Sequence, residues 1–304
     1  MRIFVAGHSG LVGSALVKAL KRNPKYNWMG RTRNELNLLD RSAVFEYVAA
    51  EKPDAIIIAA ARVGGINANK NFPVEFLSEN LQIQTNLLDA AHYGRVNRLL
   101  FLGSSCVYPK YASQPIKEDY LMTGSLEESN EPYAIAKISG LKLVQAYRKE
   151  FGYRWISAMP SNVYGSGDNF DLDNSHVLPA LIRKFHEAYV NNSETVTLWG
   201  SGTARREFLH SDDLANACLF LLENYDEYSP INVGVGVDIT ISELAAIIKD
   251  VSGFKGRISW DLSMPDGTPR KLLDTSKLDA LGWKPSISLL DGIKSTYDSF
   301  ARAN

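Results

Sequence analysis

The chain is poor in cysteine and has no long run of apolar residues or of one charge. Its two cysteines, Cys106 and Cys218, are too few for a disulfide framework and fit a reducing compartment. Lys and Arg total 33, Asp and Glu total 34, and both signs are spread along the chain, which disfavours nucleic-acid or anionic-membrane partners. Glycines interrupt the apolar N-terminal run, unlike a secretory signal or a membrane span. We therefore expect a cytoplasmic protein that binds a small molecule, not nucleic acid or membrane.

The first half of the chain alternates short β-branched apolar runs with longer amphipathic stretches. The apolar runs predict strands at residues 2–6, 55–59, 99–102 and 155–159. Helical spacing predicts helices at residues 11–23, 74–93 and 133–151. This alternation is typical of βαβ units that feed a parallel sheet. We therefore predict an α/β fold built on a doubly wound parallel (Rossmann) sheet.

The pattern loosens after about residue 160, where glycine, asparagine and aromatic residues become frequent. Predicted helices there alternate with short irregular segments, as in a smaller domain that closes over a ligand. We predict a cofactor-binding Rossmann domain at residues 1–163, with a returning segment near residues 207–233. A smaller α/β domain at residues 164–304 is predicted to bind mainly the substrate.

A glycine motif follows the first predicted strand and opens the first predicted helix. Gly7, Gly10 and Gly13 form a G-x-x-G-x-x-G pattern, which permits a tight turn and a close approach of backbone N–H groups to a pyrophosphate. Arg31 and Arg33 lie where the second strand should end, the place where the adenosine ribose of a dinucleotide is recognised. Because arginine there, rather than an acidic residue, favours a 2′-phosphate, the sequence predicts NADP(H) as the cofactor.

A Y-x-x-x-K pattern, Tyr133 with Lys137, indicates the class of chemistry. Residues four apart on a helix share a face, so the ammonium can lie beneath the phenol. The phenol's ordinary pKa is about 10, and a nearby cation should lower it toward the working range. Ser104 or Ser105, at the end of the strand at 99–102, is placed to hold the substrate oxygen. Together these residues predict a reductase or dehydrogenase.

With these residues in place, the chain resembles the GDP-L-fucose synthases, a family of extended short-chain dehydrogenases/reductases. The resemblance covers nearly the whole chain and rests on the segments VAGHSGLVGSA, RTRNELNLLD, AARVGGI, FLGSSCVYPK, NEPYAIAKI, DNFDLDNSHVLP, WGSGTARREFLHSDDLA and PDGTPRKLLD. It implies one site that epimerises C3 and C5 of GDP-4-keto-6-deoxy-D-mannose and then reduces C4 with NADPH, giving GDP-L-fucose.

The resemblance also implies a role for individual residues. The implied catalytic residues are Ser104, Cys106, Tyr133, Lys137 and His176, with Cys106 and His176 as the acid/base pair for epimerisation. The implied contacts to the GDP moiety are Lys184, Trp199, Arg206 and Asp266. The implied cofactor contacts are Gly7, Ser9, Gly10, Leu11, Val12, Gly13, Arg33, Asn37, Leu38, Leu102, Gly103, Ser105, Lys137, Pro160, Ser161, Asn162, Val163 and His176. We expect no metal at this site.

A homodimer is also implied, with the helices at residues 74–93 and 133–151 paired across a two-fold axis. Apolar positions on these helices offer surface for both core and partner; they are Phe76, Leu77, Leu81, Leu87, Leu88, Leu141 and Val144.

One residue departs from the pattern of the family. Ser9 stands where relatives carry an arginine in the glycine loop, which removes one expected contact to the 2′-phosphate of NADP and leaves Arg33 to make it. The strictness of the preference for NADPH over NADH is therefore open.

Other functions also stay open at this point. They are a GDP-L-colitose synthase or another sugar-nucleotide epimerase/reductase, a 4-epimerase or dehydratase with tightly bound NAD, and a non-catalytic NADP-binding redox sensor. The intact set of Ser104, Tyr133 and Lys137 disfavours the sensor.

Overall fold

The computed structural model describes residues 1–172, 174–264 and 266–303; Asp173 and Pro265, which fall within two of the matched segments, and Asn304 lie outside the described residues. The strands of the described chain are β1 (Arg2–Ala6), β2 (Asn27–Met29), β3 (Ala55–Ile58), β4 (Arg98–Leu102), β5 (Arg154–Pro160), β6 (Asn162–Tyr164), β7 (Thr195–Trp199), β8 (Arg205–Arg206), β9 (Phe208–His210), β10 (Ile231–Val233), β11 (Ile239–Thr240), β12 (Arg257–Asp261) and β13 (Arg270–Lys271). The helices are α1 (Leu11–Lys21), α2 (Arg41–Glu51), α3 (Ile66–Asn71), α4 (Pro73–Tyr93), α5 (Glu131–Phe151), α6 (Val177–Val190), α7 (Ser211–Asn224), α8 (Ile241–Ser252), α9 (Ser276–Ala280) and α10 (Leu289–Ala303).

The main sheet has the strand order β10-β5-β4-β3-β1-β2 and its neighbouring strands pair in parallel. Side chains of β1 alternate between its two faces: Ile3 and Val5 join one apolar cluster, whereas Phe4 and Ala6 join the other. Helices α1 and α7 cover the first face, and α2, α4 and α5 cover the second. Strands buried on both faces read as unbroken apolar runs, which is why β3 and β4 stand out in the sequence. The predicted fold class, a doubly wound parallel sheet, is confirmed.

The predicted elements of the first half end within two residues of the observed ones. Helix α1 ends at Lys21, two residues before the predicted limit at residue 23. Helix α5 begins at Glu131, two residues before Tyr133, so Tyr133 lies in its first turn. Gly152 ends this helix in the left-handed conformation, with φ of 73°. Tyr133 is therefore held at the start of a long helix whose other end is fixed by a glycine cap.

The chain leaves the main sheet after β5 and returns to it at β10. Strand β9 leads into α7, and β10 then pairs with β5 at the edge of the sheet, within the range 207–233 named above. Two small sheets, β11-β8-β13 and β12-β7, pack with α6, α8 and α10 around an apolar cluster of their own, and β6 pairs with β9. A division of the chain at residue 163 stays a prediction. Among the described residues, no helix is both long enough and apolar enough to cross a bilayer.

Candidate active site

A cleft of about 870 Å³ lies at the carboxyl ends of the main-sheet strands, between the sheet and the smaller elements. Open parallel sheets bind their ligands at this edge. Every site residue predicted from the sequence lines this cleft; the set comprises Gly7, Ser9, Gly10, Leu11, Val12, Gly13, Arg33, Asn37, Leu38, Leu102, Gly103, Ser104, Ser105, Cys106, Tyr133, Lys137, Pro160, Ser161, Asn162, Val163, His176, Lys184, Trp199, Arg206 and Asp266. The structure therefore brings all of them to one surface, while their individual roles stay predictions.

The glycine loop at one end of the cleft is shaped by backbone contacts that exclude side chains. Gly7 has φ of 86°, and a Cβ atom added to it would lie 2.7 Å from the backbone of Ala60. A Cβ on Gly13 would lie 2.0 Å from the carbonyl oxygen of Gly7. Gly10 caps α1 without a side-chain hydrogen bond, which leaves the first N–H groups of the helix available. This cradle fits the pyrophosphate of a dinucleotide.

The two arginines after β2 differ in their partners. Arg31 donates to the carboxylate of Glu51 at 3.1 Å and to the Gly30 carbonyl oxygen at 3.0 Å. Arg33 is exposed and lines the cleft, and no hydrogen bond or ion pair joins it to another residue of the described chain. A cation without a protein partner at this position suits an anionic ligand group. Arg33 therefore fits a 2′-phosphate better than Arg31 does.

Tyr133 and Lys137 lie one turn apart on α5 beside the end of β4. The Lys137 Nζ atom donates to the carbonyl oxygen of Leu102 at 2.8 Å and lies 5.9 Å from the centroid of the Tyr133 ring. Burial lowers the pKa of Lys137 to about 8, so it still carries its proton at neutral pH. Ser104 lies close enough to Tyr133 to favour its phenolate.

The direction of the tyrosine shift differs from the sequence-based expectation. Burial raises the pKa of Tyr133, Coulomb repulsion from Cys106 adds to the rise, and only the neighbouring Ser104 opposes it. Desolvation of the phenolate dominates because the walls of the cleft enclose the ring. The expected lowering by Lys137 is thus corrected, and the protein as it stands holds Tyr133 as a neutral phenol that can donate a proton.

Cys106 lies in a short 3₁₀ turn, Ser105–Val107, that directly follows β4. Its backbone N–H donates to Ser104 Oγ at 3.2 Å. Its Sγ atom accepts from Asn130 Nδ2 at 3.3 Å and from Lys271 Nζ at 3.7 Å. The other cysteine, Cys218, has no solvent exposure in the core, where burial raises its pKa to about 12. The two thiols therefore have opposite environments, one in the cleft among donors and one inert.

His176 precedes α6 and faces the cleft, on the side that the smaller elements contribute. Its side chain is exposed to the cleft, whose walls surround it. This enclosure lowers the pKa of His176, and the positive charge of Lys271 lowers it further. The imidazole is therefore neutral at physiological pH and able to accept a proton.

The predicted substrate contacts come from the smaller elements that wall the cleft. Lys184 Nζ lies 5.1 Å from the Trp199 ring centroid and donates to the carbonyl oxygen of Thr197 at 3.2 Å. Asp266 accepts from the backbone N–H and the hydroxyl of Ser201 at 2.7 and 2.8 Å, which fixes the loop after β7. Burial lowers the pKa of Arg206, while the nearby negative charges of Cys106, Glu127 and Asp266 oppose the shift. An aromatic wall and cations at one end of the cleft fit a nucleoside diphosphate.

Sequence reasoning missed Asn130 and Lys271, the two donors to the Cys106 sulfur. Both residues lie inside segments that carried the family resemblance, NEPYAIAKI and PDGTPRKLLD. Their distance along the chain from Cys106, 24 and 165 residues, left no spacing pattern that could connect them. Only the folded arrangement shows that they meet at one sulfur atom.

Comparison with known proteins agrees with this geometry. The family model described as the NAD dependent epimerase/dehydratase family matches residues 3–234. The chain is 54% identical to GDP-L-fucose synthase 1 of Arabidopsis thaliana, over 99% of this chain and 93% of that protein. It is 52% identical to GDP-L-fucose synthase of Escherichia coli (strain K12), over 98% of this chain and 96% of that protein. Among solved structures, MlghC, a GDP-mannoheptose C4 reductase from Campylobacter jejuni with NADP bound, is 36% identical with a TM-score of 0.91, covering 99% of this chain and 98% of that chain. The resemblance seen in the motifs is thereby confirmed, and the chain belongs to the NAD dependent epimerase/dehydratase family, alongside the GDP-L-fucose synthases.

Proposed function

We propose that this chain converts GDP-4-keto-6-deoxy-D-mannose to GDP-L-fucose by epimerisation at C3 and C5 followed by NADPH-dependent reduction at C4. One observation carries the proposal: a proton-donating tyrosine with its serine and lysine shares a cleft with a thiol and an imidazole. Reduction alone needs only the tyrosine with its serine and lysine. A second acid/base pair beside it is what inversion next to a ketone requires.

The residues of the cleft fit NADP(H). The glycine cradle leaves room for backbone N–H groups to hold the pyrophosphate, and Arg33 is free to meet the 2′-phosphate. Leu102, Ser161 and Val163 line the same cleft as the cradle and Tyr133. When bound, the cofactor supplies the hydride that reduces C4.

Epimerisation begins with the ketone at C4, which acidifies the hydrogens on its neighbouring carbons. Ser104 and Tyr133 hold the C4 oxygen by hydrogen bonds, which stabilises the enolate formed when a proton leaves. Cys106 and His176 act as the acid/base pair, since one removes a proton from one face and the other returns a proton to the opposite face. The neutral state of His176, set by the enclosing walls and Lys271, leaves a ring nitrogen able to take up a proton, which the imidazolium can then give to the carbon.

Reduction follows once both centres are inverted. Tyr133 then protonates the C4 oxygen, and its raised pKa makes the neutral phenol the resting form. Lys137 remains protonated below its pKa of about 8 and lies one turn below the tyrosine. Its charge favours the transient phenolate that protonation of the product leaves behind.

The test is to incubate the purified protein with NADPH and GDP-4-keto-6-deoxy-D-mannose and to identify the product by NMR. We expect oxidation of NADPH with GDP-L-fucose as the product. A C4-reduced product with unchanged configuration at C3 and C5 would leave only a reductase. Turnover of a 3-deoxy keto sugar in preference to this substrate would instead indicate a GDP-L-colitose synthase.

The homodimer stays part of the proposal, but its expected surface needs correction. Five of the apolar positions named for it are buried inside the protomer: Leu87, Leu88, Leu141 and Val144 pack against the main sheet, and Phe76 packs edge-on to the Tyr133 ring. They cannot meet a partner. Leu77 and Leu81 remain partly exposed, and Val74 at the start of α4 is 71% exposed. Light scattering at micromolar concentration should give the mass of two chains, and Leu81→Glu should shift it toward one.

A further inference from the structure

The ammonium group of Lys271 lies opposite the Cys106 sulfur in a setting that offers it no carboxylate. Its Nζ atom donates to Cys106 Sγ at 3.7 Å. No Asp or Glu of the described residues lies within ion-pair distance of it, although Lys110 and Lys277 each have one. A half-buried cation with a sulfur atom as its polar partner is balanced best when that sulfur carries negative charge.

The backbone around Lys271 is fixed on both sides by contacts that do not use its side chain. Strand β13 pairs with β8, so that Lys271 is in register with Arg206. The next two N–H groups donate to side chains distant along the chain, Leu272 to Gln114 Oε1 at 2.9 Å and Leu273 to Glu207 Oε2 at 3.1 Å. The ammonium group is therefore held at a fixed position by a segment that is distant from Cys106 along the chain.

Lys271 acts on both members of the acid/base pair. It faces the sulfur directly, and its charge reaches His176 strongly enough to lower the pKa of the imidazole. The other groups that face the sulfur are Asn130, which donates at 3.3 Å, and Tyr133 and Arg206, whose own pKa values respond to Cys106. Lys271 differs from Arg206 in having no carboxylate to share its charge with, since Glu127 and Asp266 act on Arg206.

We propose that Lys271 is a positioning residue that holds Cys106 as a thiolate and His176 as a neutral imidazole, and so sets the charge state of the epimerisation pair. The inference rests on the proposed function for its use in catalysis. When the thiolate takes a proton, an S–H bond forms, the C–H bond beside the ketone breaks, and its electron pair moves to the C4 oxygen as the enolate. His176 takes up a proton from solvent and gives it to the opposite face of that carbon, and the thiol releases its own proton to solvent, which restores the thiolate next to Lys271.

Alkylation by iodoacetamide tests the pairing without substrate or cofactor, because the thiolate is the reactive form. Between about pH 6 and pH 9 only Cys106 should react, since burial raises the pKa of Cys218 to about 12. Cys106→Ser verifies the site of modification. We expect Lys271→Met to slow alkylation about tenfold at neutral pH and to move the half-maximal rate to higher pH, because a nearby cation no longer favours the thiolate. Lys271→Arg should restore most of the rate.

A charge-matched control is Lys255→Met, which removes an exposed lysine that has no hydrogen bond or ion pair within the described chain. It should leave the alkylation profile unchanged. If Lys271→Met reacts like the wild-type protein at every pH, the proposal is wrong.

Proton exchange on the substrate provides the second readout. With the keto sugar in D₂O, Lys271→Met should lower kcat for exchange at C3 and C5 with little change in KM, and higher pH should recover part of the loss. A lysine that merely holds the diphosphate predicts a raised KM and an unchanged alkylation profile, which would overturn the proposal. Slower alkylation in Lys271→Met, together with no exchange by the wild-type protein, would support the pairing and refute the proposed function instead.

Discussion

The two ends of the cleft are built in different ways. The cofactor end is local: residues Gly7 to Gly13, the loop after β1 and the first turn of α1, supply the cradle, mostly through the backbone. The epimerisation centre is assembled from distant segments, because Cys106 follows β4, Asn130 precedes α5, His176 precedes α6 and Lys271 lies in β13.

This difference separates what the fold provides from what the sequence must add to it. A glycine cradle at the first strand–helix junction is a property of the doubly wound fold and serves many activities. A thiol flanked by an amide and an unpaired ammonium is not, since it depends on loops and small strands outside the main sheet. The epimerisation thus depends on the assembled end alone, whereas the reduction needs both ends of the cleft. Substitutions at each end should therefore have separable effects.

The largest effect is expected where the two ends meet, at Tyr133. Tyr133→Phe removes the proton donor for C4 and should lower the rate of NADPH oxidation by about 10² to 10⁴. Exchange at C3 and C5 should survive in part, because Ser104 still holds the ketone oxygen. Absorbance at 340 nm measures the first and NMR in D₂O the second. Wild-type reduction by this variant would remove Tyr133 from its role.

Loss of the thiol should affect the assembled end alone. Cys106→Ser replaces the thiol with a much weaker acid and should suppress exchange at the carbons beside the ketone by about 10² or more, with cofactor affinity unchanged. His176→Asn should give a similar defect, since inversion needs a group on each face. Exchange is followed by NMR without cofactor, and affinity by fluorescence of NADPH. If both folded variants exchange at the wild-type rate, the epimerase part of the account is wrong.

At the cofactor end, Arg33→Ala should weaken NADPH binding about tenfold or more while leaving NADH binding nearly unchanged. The reason is that Arg33 has no partner among the described residues, and Ser9 cannot make a charged contact to the 2′-phosphate. Arg31→Ala is the matched control, because Glu51 already holds that side chain. Isothermal titration with both cofactors measures the ratio. Equal losses for NADPH and NADH would place the 2′-phosphate elsewhere.

The smallest effect concerns stability rather than rate. Burial lowers the pKa of Lys137 from 10.5 to about 8, so at neutral pH the folded protein holds an ammonium at a cost of roughly 3 kcal/mol. Lys137→Met removes this cost but leaves the Leu102 carbonyl without its donor, a loss of about 1–3 kcal/mol. We expect loss of reduction with an unchanged or slightly raised Tm at pH 7.

The pH dependence of Tm is a second measurement on this variant. The unfolded chain keeps the Lys137 proton up to its ordinary pKa of 10.5, whereas the folded protein releases it above about pH 8. The free energy of unfolding of the wild-type protein therefore rises between about pH 8 and pH 10.5. Any stability advantage of Lys137→Met should shrink as the pH rises through this range. A Tm several degrees below the wild type at pH 7 would show that the ammonium stabilises the fold instead.

Prediction from sequence succeeded where the controlling interactions are local. The unbroken apolar run of β4, the glycine spacing after β1 and the four-residue spacing of Tyr133 and Lys137 all report their structural setting directly. Two matters were out of reach. The pKa of Tyr133 depends on how far the cleft walls exclude water, which no spacing encodes. The approach of Lys271 to Cys106 depends on the pairing of β13 with β8, two very short strands without a sequence signature.

The central claim is that one cleft performs inversion and reduction on the same sugar. The most direct measurement is a complete turnover in D₂O with NADPH and GDP-4-keto-6-deoxy-D-mannose, followed by NMR of the product at each carbon. The account predicts GDP-L-fucose with deuterium at C3 and C5 and with hydrogen, delivered from NADPH, at C4. Reduced product that carries hydrogen at C3 and C5 in the original configuration would contradict it.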